Sequence, residues 1–199
     1  MSGNYLLMKI ALFISKLITF YSFLIWIRIL LSWVNPYNRP GSLTYYFGLI
    51  VDPFLNLFRS RHFRVGMLDL SPIFAIAVLS LLQSIANIFA SYGFITLGLI
   101  LALALQTIWG YGLSFFFMFA IISLIFRTLT SFTGSMGVMY QIGSVTAPLA
   151  NKVKNIFFKN RLVHDSTINL ITLIITLLLY VGSKYLFSYL IILSQRIPF

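Results

Sequence analysis

Side chains that could carry acid-base, thiol or metal chemistry are few in this sequence. Asp52, Asp69 and Asp165 are its three acidic residues, and it contains no Glu and no Cys. The two histidines, His62 and His164, lie apart and beside basic residues, so we interpret them as loop residues rather than haem or metal ligands. General acid-base catalysis, thiol nucleophiles and metal cages need carboxylates, cysteines or clustered histidines. We therefore expect neither an enzyme nor a bound cofactor or metal.

Two arginines fall inside long apolar segments. Arg28 and Arg127 each lie about one turn before the end of a predicted membrane span. One interpretation is that each side chain simply snorkels to the membrane interface. The other pairs Arg28 with Asp69 and Arg127 with Asp165, in bidentate contacts that close two helix hairpins.

The elements that position these residues must form in lipid. Of the 199 residues, 60% are hydrophobic and 9% are charged, whereas a water-soluble domain has about a quarter of its residues charged. A formal net charge of +11 would suggest nucleic acid in a soluble protein. A membrane protein that keeps Lys and Arg on one side reaches the same balance through orientation alone. We prefer this second interpretation and expect no nucleic-acid partner.

The pattern of apolar residues predicts an all-α integral membrane protein with about four transmembrane helices. The spans fall near residues 13–33, 72–90, 113–132 and 166–181, close to the roughly 20 residues that cross a bilayer. The uncharged stretch 94–126 admits two spans, or one span with an interfacial lead-in, divided at Gly110 and Gly112. Polar stripes on the second and fourth spans should face protein rather than lipid: Ser80, Gln83, Ser84 and Asn87, then Asn169, Thr172 and Thr176.

Two short segments between the spans are predicted to be amphipathic helices in the headgroup region. Asp52 as an N-cap with Pro53 after it marks the start of the first, and Pro148 marks the start of the second. Ser71 and Pro72 give the same signal at the start of the second span. Basic residues follow on both segments and are predicted to bind anionic lipid headgroups, at about 1 kcal/mol for each charge: Arg59, Arg61 and Arg64, then Lys152, Lys154, Lys159 and Arg161.

The chain also aligns with itself at an offset of 95 to 99 residues. We predict two parallel repeats, residues 1–90 and 113–199, joined by an uncharged linker or interfacial helix at 91–112. Ser32 and Ser131 lie four residues after the two arginines and could complete their hydrogen bonding. The aligned landmarks are Arg28 to Trp33 on Arg127 to Phe132, residues 51–53 on 146–148, and residues 69–71 on 165–167.

The distribution of charge predicts the orientation. Four Lys or Arg follow the first span, four follow the third, and the linker between the second and third carries none. Cytoplasmic loops are enriched in Lys and Arg. Both basic segments, with their amphipathic helices, are therefore predicted to be cytoplasmic, and four spans place both termini outside.

These motifs resemble the YggT family, also called YlmG, of small bacterial and plastid membrane proteins. The resemblance rests on residues 28–33, Asp52-Pro53, the arginines at 59 and 61, and residues 68–72, and it covers residues 20–85. A degenerate second copy at 115–180 lacks the Trp, the acid before Pro148 and the proline after residue 167. The resemblance implies an integral membrane protein with no established enzymatic activity, associated with cell division, osmotic stress, haem attachment or nucleoid organisation. It also implies that the first repeat carries the working motif.

Two functions fit these patterns. The first is a non-catalytic scaffold or assembly factor whose basic segments hold anionic lipid, a membrane-protein partner or a second copy of the chain. The second is a channel or transporter for ions or small osmolytes, with the polar stripes lining a path. The stripes contain no ionisable group, which disfavours proton coupling. Because the sequence shows no transit-peptide character, we expect a multi-pass protein of the bacterial cytoplasmic membrane.

Overall fold

The structure, a computed structural model, is almost entirely helical in the residues that it describes, which are 2–34, 40–59, 64–65, 68–69, 71–133, 145–159 and 163–197. Two short strands, β1 (Arg64–Val65) and β2 (Leu68–Asp69), pair antiparallel with Arg64 opposite Asp69. The chain forms two compact units, Met1–Gly112 with Leu190–Phe199, and Leu113–Tyr189. The helices are α1 (Ser2–Val34), α2 (Leu43–Phe58), α3 (Ser71–Tyr92), α4 (Leu97–Thr107), α5 (Ser114–Thr133), α6 (Ala147–Phe158) and α7 (Asp165–Gln195).

Among the described residues, four helical stretches are long and apolar enough to cross a membrane. They are Asn4–Leu31, Ser71–Tyr92, Leu97–Phe132 and Asp165–Gln195. The first overlaps the predicted span 13–33, and each of the others contains one predicted span. The predicted number of spans is therefore confirmed by length and composition. The first and last helices extend well beyond the roughly 20 residues that a bilayer requires.

The third stretch differs from the prediction at its two glycines. A π-helical segment, Ile108–Leu113, joins α4 to α5 and contains Gly110 and Gly112, so the helix continues where a division was expected. The segment has neither charge nor proline, and a chain in lipid must satisfy its backbone groups internally. The glycines are accommodated by a wider turn, so they do not interrupt the helix.

The prediction that Asp52 caps a helix is also wrong. Helix α2 begins at Leu43, and its N-cap is Ser42, whose Oγ accepts a hydrogen bond from the Tyr45 N–H at 3.2 Å. The helix then runs through Asp52 and Pro53, although an internal proline costs about 3 kcal/mol. Burial of one continuous helical face on both sides of the proline offsets that cost, and the buried residues are Thr44, Gly48, Val51 and Leu55.

Helix α2 ends before the basic residues that follow it in the sequence. It stops at Phe58, Arg59 is extended, and Arg64 lies on β1, so these two arginines lie outside the helix. The prediction for Pro148 is confirmed, because α6 begins at Ala147 with the proline in its first turn.

The apolar core of the first unit lies between α1, α2 and α3. Half-buried aromatic side chains extend it, with the Tyr21 and Phe54 ring centroids 5.7 Å apart. The core consists of Ile25, Val51, Leu55, Ala75, Ile76 and Leu79. Because Arg28 lies one turn after Ile25, and Asp52 directly follows Val51, packing brings both charged side chains to the same interface.

Candidate functional site

A bidentate ion pair joins α1 to α2. Arg28 Nε donates to Asp52 Oδ1 at 3.0 Å, and Arg28 Nη2 donates to Asp52 Oδ2 at 2.9 Å. The side chains are 12% and 27% exposed, so the pair is mostly shielded from solvent. A fork-to-fork contact of this kind fixes orientation as well as neutralising both charges.

The close approach of the two helices depends on Gly48. A Cβ added at this glycine would lie 2.8 Å from Asp52 Oδ2, and 3.6 Å from both Nε and Nη2 of Arg28. Gly48 precedes Asp52 by four residues and therefore lies beneath it on the same helical face. The glycine leaves the space in which the guanidinium and carboxylate meet.

The prediction named a different partner for Arg28. It paired Arg28 with Asp69, whereas the carboxylate that binds the guanidinium belongs to Asp52. The backbone of Asp69 pairs with Arg64 in the short hairpin, and the side chain of Asp69 lies outside the described residues. The reason for the difference is the long α2, which carries Asp52 to the interface instead of leaving it at a helix start.

A second set of polar contacts, the polar ladder, joins α1 to α3. Ser15 Oγ donates to Asn87 Oδ1 at 2.6 Å, and Gln83 Nε2 donates to Thr19 Oγ1 at 2.9 Å. The Thr19 hydroxyl in turn donates to the Ser15 carbonyl at 2.9 Å. The predicted orientation of the α3 stripe toward protein is confirmed at Gln83 and Asn87. Contacts of this kind hold helices together in lipid.

In the second unit, Arg127 also has a partner other than the predicted one. Its Nε donates to Asn169 Oδ1 at 2.8 Å. Arg127 and Asp165 are both described, and the ion pair found among the described side chains is Arg28 with Asp52. The predicted pairing of Arg127 with Asp165 is therefore wrong, because α7 presents its buried Asn169 to the guanidinium while Asp165 is exposed at the helix start.

Four further polar side chains of the second unit are buried, namely Ser123, Thr146, Thr172 and Thr176. Ser123 Oγ and Thr146 Oγ1 are 3.2 Å apart, which ties α5 to the start of α6. Thr172 and Thr176, which the sequence placed in a stripe with Asn169, are buried as expected. Ser131 donates to the Thr128 carbonyl of its own helix at 2.7 Å, so its predicted bond to Arg127 is not made.

The other predicted motif residues have the following positions. Ser71 is the buried first residue of α3 and Pro72 follows it. Ser32 and Trp33 belong to α1, but their side chains lie outside the described residues.

The predicted basic contact residues that the structure describes lie after α2, on β1, on α6 or directly after α6. Arg59 is exposed after α2, and its Nη1 donates to Asn56 Oδ1 at 3.2 Å. Lys152 and Lys159 are exposed, while Lys154 is half-buried. For the remainder, Arg61, His62 and Arg161 lie outside the described residues, and Arg64 is described in its backbone alone.

Gly48 and Asn169 are the site residues whose roles the sequence did not reveal. A glycine four residues before an acid on one helix can indicate a close contact with a neighbouring helix. That pattern was missed because Asp52 was predicted to start a new helix. Asn169 stood in a polar stripe, and no pattern distinguished it from Asp165 as the partner of an arginine. His164 has a local role before α7, where its Nδ1 lies 2.8 Å from Ser166 Oγ.

This arrangement offers structural contacts rather than reactive groups. Within the described part of the chain, no group of three or more His, Cys, Asp or Glu side chains could hold a metal ion. The carboxylate of Asp52 is occupied by a guanidinium, and the ladder groups bond to one another. What the geometry can do is hold α1, α2 and α3 in a fixed hairpin.

Comparison with known protein families finds a match in the part of the chain that contains these contacts. No curated protein and no solved structure matches the sequence. The family model described as CCB3/YggT matches residues 7–90, a range that contains the ion pair, Gly48 and the polar ladder. The match ends where the first predicted repeat ends, and the second repeat stays a prediction. Residues 7–90, which contain the first two candidate membrane spans, are therefore similar to the CCB3/YggT family.

Proposed function

We propose that this protein is a non-catalytic membrane scaffold or assembly factor. The observation that supports the proposal most directly is the polar ladder, in which Ser15 bonds Asn87 and Gln83 bonds Thr19. A transport path needs polar groups that face a passing solute. These groups face each other across α1 and α3, where they contribute about 0.6 to 2 kcal/mol each to helix association.

The ion pair supports the same interpretation. Arg28 and Asp52 neutralise each other and fix α2 against α1, so neither charge is left to move an ion or a proton. A rigid contact of this kind holds the end of α2 in a defined place. Arg59 directly follows α2 and is exposed.

The surfaces proposed to act are the basic segments that follow α2 and accompany α6. In the described part they present Arg59, Lys152 and Lys159 to the surroundings. Each such charge attracts an anionic headgroup by about 1 kcal/mol. The proposed partners are therefore anionic lipid and a membrane protein, or a second copy of the chain, with an acidic surface.

The proposal includes an orientation and a location. The protein has two parallel repeats in the bacterial cytoplasmic membrane, with α2 and α6 as amphipathic helices on the cytoplasmic face. The processes it would serve are cell division, envelope maintenance or the response to osmotic stress. The excess of Lys and Arg in both loops supports the orientation.

A crosslinking experiment in cells tests the scaffold role. A photo-reactive amino acid replaces Arg59 or Lys154, and the matched control replaces Leu178, an apolar residue that is 67% exposed on α7. We expect both basic positions, and not the control, to capture one particular protein. Capture of no protein from either basic position, or the same capture from Leu178, would contradict the partner-binding role.

A flux assay in liposomes tests the competing channel or transporter function. We expect the wild-type protein to give no selective flux of ions or small osmolytes. Selective flux that disappears in the variant Gln83→Leu/Asn87→Leu, but persists in Ser91→Ala, would replace the scaffold proposal with transport. Ser91 is the matched control because its hydroxyl bonds to the Asn87 carbonyl of its own helix.

A further inference from the structure

The two arginines near span ends have partners of different charge. Arg28 binds the carboxylate of Asp52, whereas Arg127 binds the amide oxygen of Asn169 at 2.8 Å. An amide accepts a hydrogen bond but carries no charge. The charge of Arg28 is therefore offset by its partner, whereas the charge of Arg127 is not.

No acidic residue of the second unit neutralises Arg127. Asp165 is the one acidic residue between 113 and 189, and it forms no ion pair with Arg127 among the described side chains. A guanidinium has five N–H donors, and the bond to Asn169 uses the one on Nε. The four donors on Nη1 and Nη2 have no partner in the part of the chain that the structure describes.

The location of Arg127 makes an unneutralised charge unfavourable. The residue is half-buried, and α5 ends at Thr133, about 9 Å further along at 1.5 Å per residue. A cation removed from water without a counter-charge is destabilised. The side chain is long enough to reach toward the headgroup level from this depth, where phosphate groups are abundant.

We propose that Arg127 is a phosphate-binding residue, held in place by Asn169 and donating from both Nη atoms to two phosphate oxygens. Planar bidentate recognition of phosphate is what the guanidinium geometry suits. The phosphate group belongs either to an anionic phospholipid or to a small soluble phosphate compound. The inference goes beyond the scaffold role, because it holds whether or not the protein binds another protein.

Lipid binding to the purified full-length chain in neutral detergent tests the site. Phosphatidylglycerol and phosphatidylcholine are titrated, and bound lipid is counted by native mass spectrometry. We expect Arg127→Gln to weaken phosphatidylglycerol binding about tenfold, the loss expected for one charge-assisted bidentate contact. Size-exclusion chromatography and circular dichroism report whether each variant is folded.

Asn169→Asp is the more informative variant, since it keeps the residue's size and supplies a carboxylate where the amide now accepts. The new carboxylate offsets the charge of Arg127 inside the protein. We therefore expect the same loss of about tenfold in phosphatidylglycerol binding in a fully folded protein. Lys184→Gln is the matched control. It lowers the net charge of the same unit by the same amount at an exposed position of α7, and we expect it to leave binding unchanged.

Inorganic phosphate identifies the source of the group. Failure of millimolar phosphate to displace phosphatidylglycerol supports a lipid phosphate, and displacement that depends on Arg127 supports a soluble one. Equal lipid binding by the wild type, Arg127→Gln and Asn169→Asp would overturn the site. An equal loss in Lys184→Gln would also overturn it, because binding would then follow net charge alone. The scaffold role is tested separately by crosslinking from Arg59, so the two proposals can fail independently.

Discussion

Replacement of Asp52 by Asn is the most direct test of the ion pair. Asp52→Asn keeps one oxygen that can accept from Arg28, but it removes the negative charge and places an NH₂ group opposite a guanidinium N–H. Exposed ion pairs contribute about 0.2 to 1 kcal/mol, and removal of one partner of a buried pair costs about 3 to 5 kcal/mol. With 12% and 27% of the two side chains exposed, we expect a loss of about 2 kcal/mol in the free energy of unfolding.

The double-mutant cycle separates the pair from its surroundings. Arg28→Gln should cost a similar amount, because it leaves Asp52 charged and unpaired. The variant with both substitutions contains neither charge, so we expect it to lose less than the sum of the single losses, with a coupling energy of at least about 1 kcal/mol. The measurement is reversible unfolding in mixed micelles, followed by tryptophan fluorescence. Lys16→Gln, at an exposed cation of the same helix, is the matched control and should change stability little.

Two results would refute this reasoning. Additive losses for Arg28→Gln and Asp52→Asn would show that the two side chains do not act as a pair. A larger coupling between Arg28 and Asp69 than between Arg28 and Asp52 would restore the pairing that the sequence alone predicted.

Three further changes test the packing and the orientation. Gly48→Ala places a Cβ 2.8 Å from the paired carboxylate and should lower the free energy of unfolding by about 1 to 3 kcal/mol through overpacking. Gly182→Ala is the control, because nothing lies within 4 Å of its Cβ. It should be neutral or slightly stabilising in the same unfolding assay. Asn87→Leu removes the acceptor of one ladder bond and should lower stability by about 0.6 to 2 kcal/mol; an unchanged midpoint would mean that this bond contributes nothing. Because the chain has no cysteine, single cysteines at Arg59 and Lys154 can report topology, and an impermeant thiol reagent should reach both from the same side of the membrane; labelling from opposite sides would exclude parallel repeats.

The structure gives the CCB3/YggT region a physical interpretation. The residues on which the predicted resemblance rests include Arg28, Asp52 and Pro53, and the first two of these bond to each other. Gly48 provides the space for their contact. In the predicted alignment Asp52 corresponds to Ala147, so the second half has no acid at this position, and its arginine binds Asn169 instead. The absence of that acid explains why the two arginines are expected to behave differently.

The sequence by itself determined the spans and the orientation of the polar stripes. A span in lipid needs about 20 consecutive apolar residues and leaves its polar side chains no favourable place except against protein. This constraint accounts for the four candidate membrane spans. It also accounts for the contacts that Gln83, Asn87 and Asn169 make with neighbouring helices. Because the constraint acts on each segment separately, a single sequence was enough to apply it.

Only the tertiary structure decided which groups meet. Asp52 and Asp69 are chemically identical candidates for Arg28, and the choice depends on α2 continuing through Pro53, where burial of its face outweighs the local preference to start a helix at that point. Arg127 likewise binds Asn169 and not Asp165 because of their positions on α7. Asn169 is buried within reach of the guanidinium, whereas Asp165 is exposed at the start of the helix. The continuous turn at Gly110 and Gly112 likewise reflects the backbone's need for internal hydrogen bonds in lipid. Pairing depends on distances that several helices set together, and no local pattern contains them.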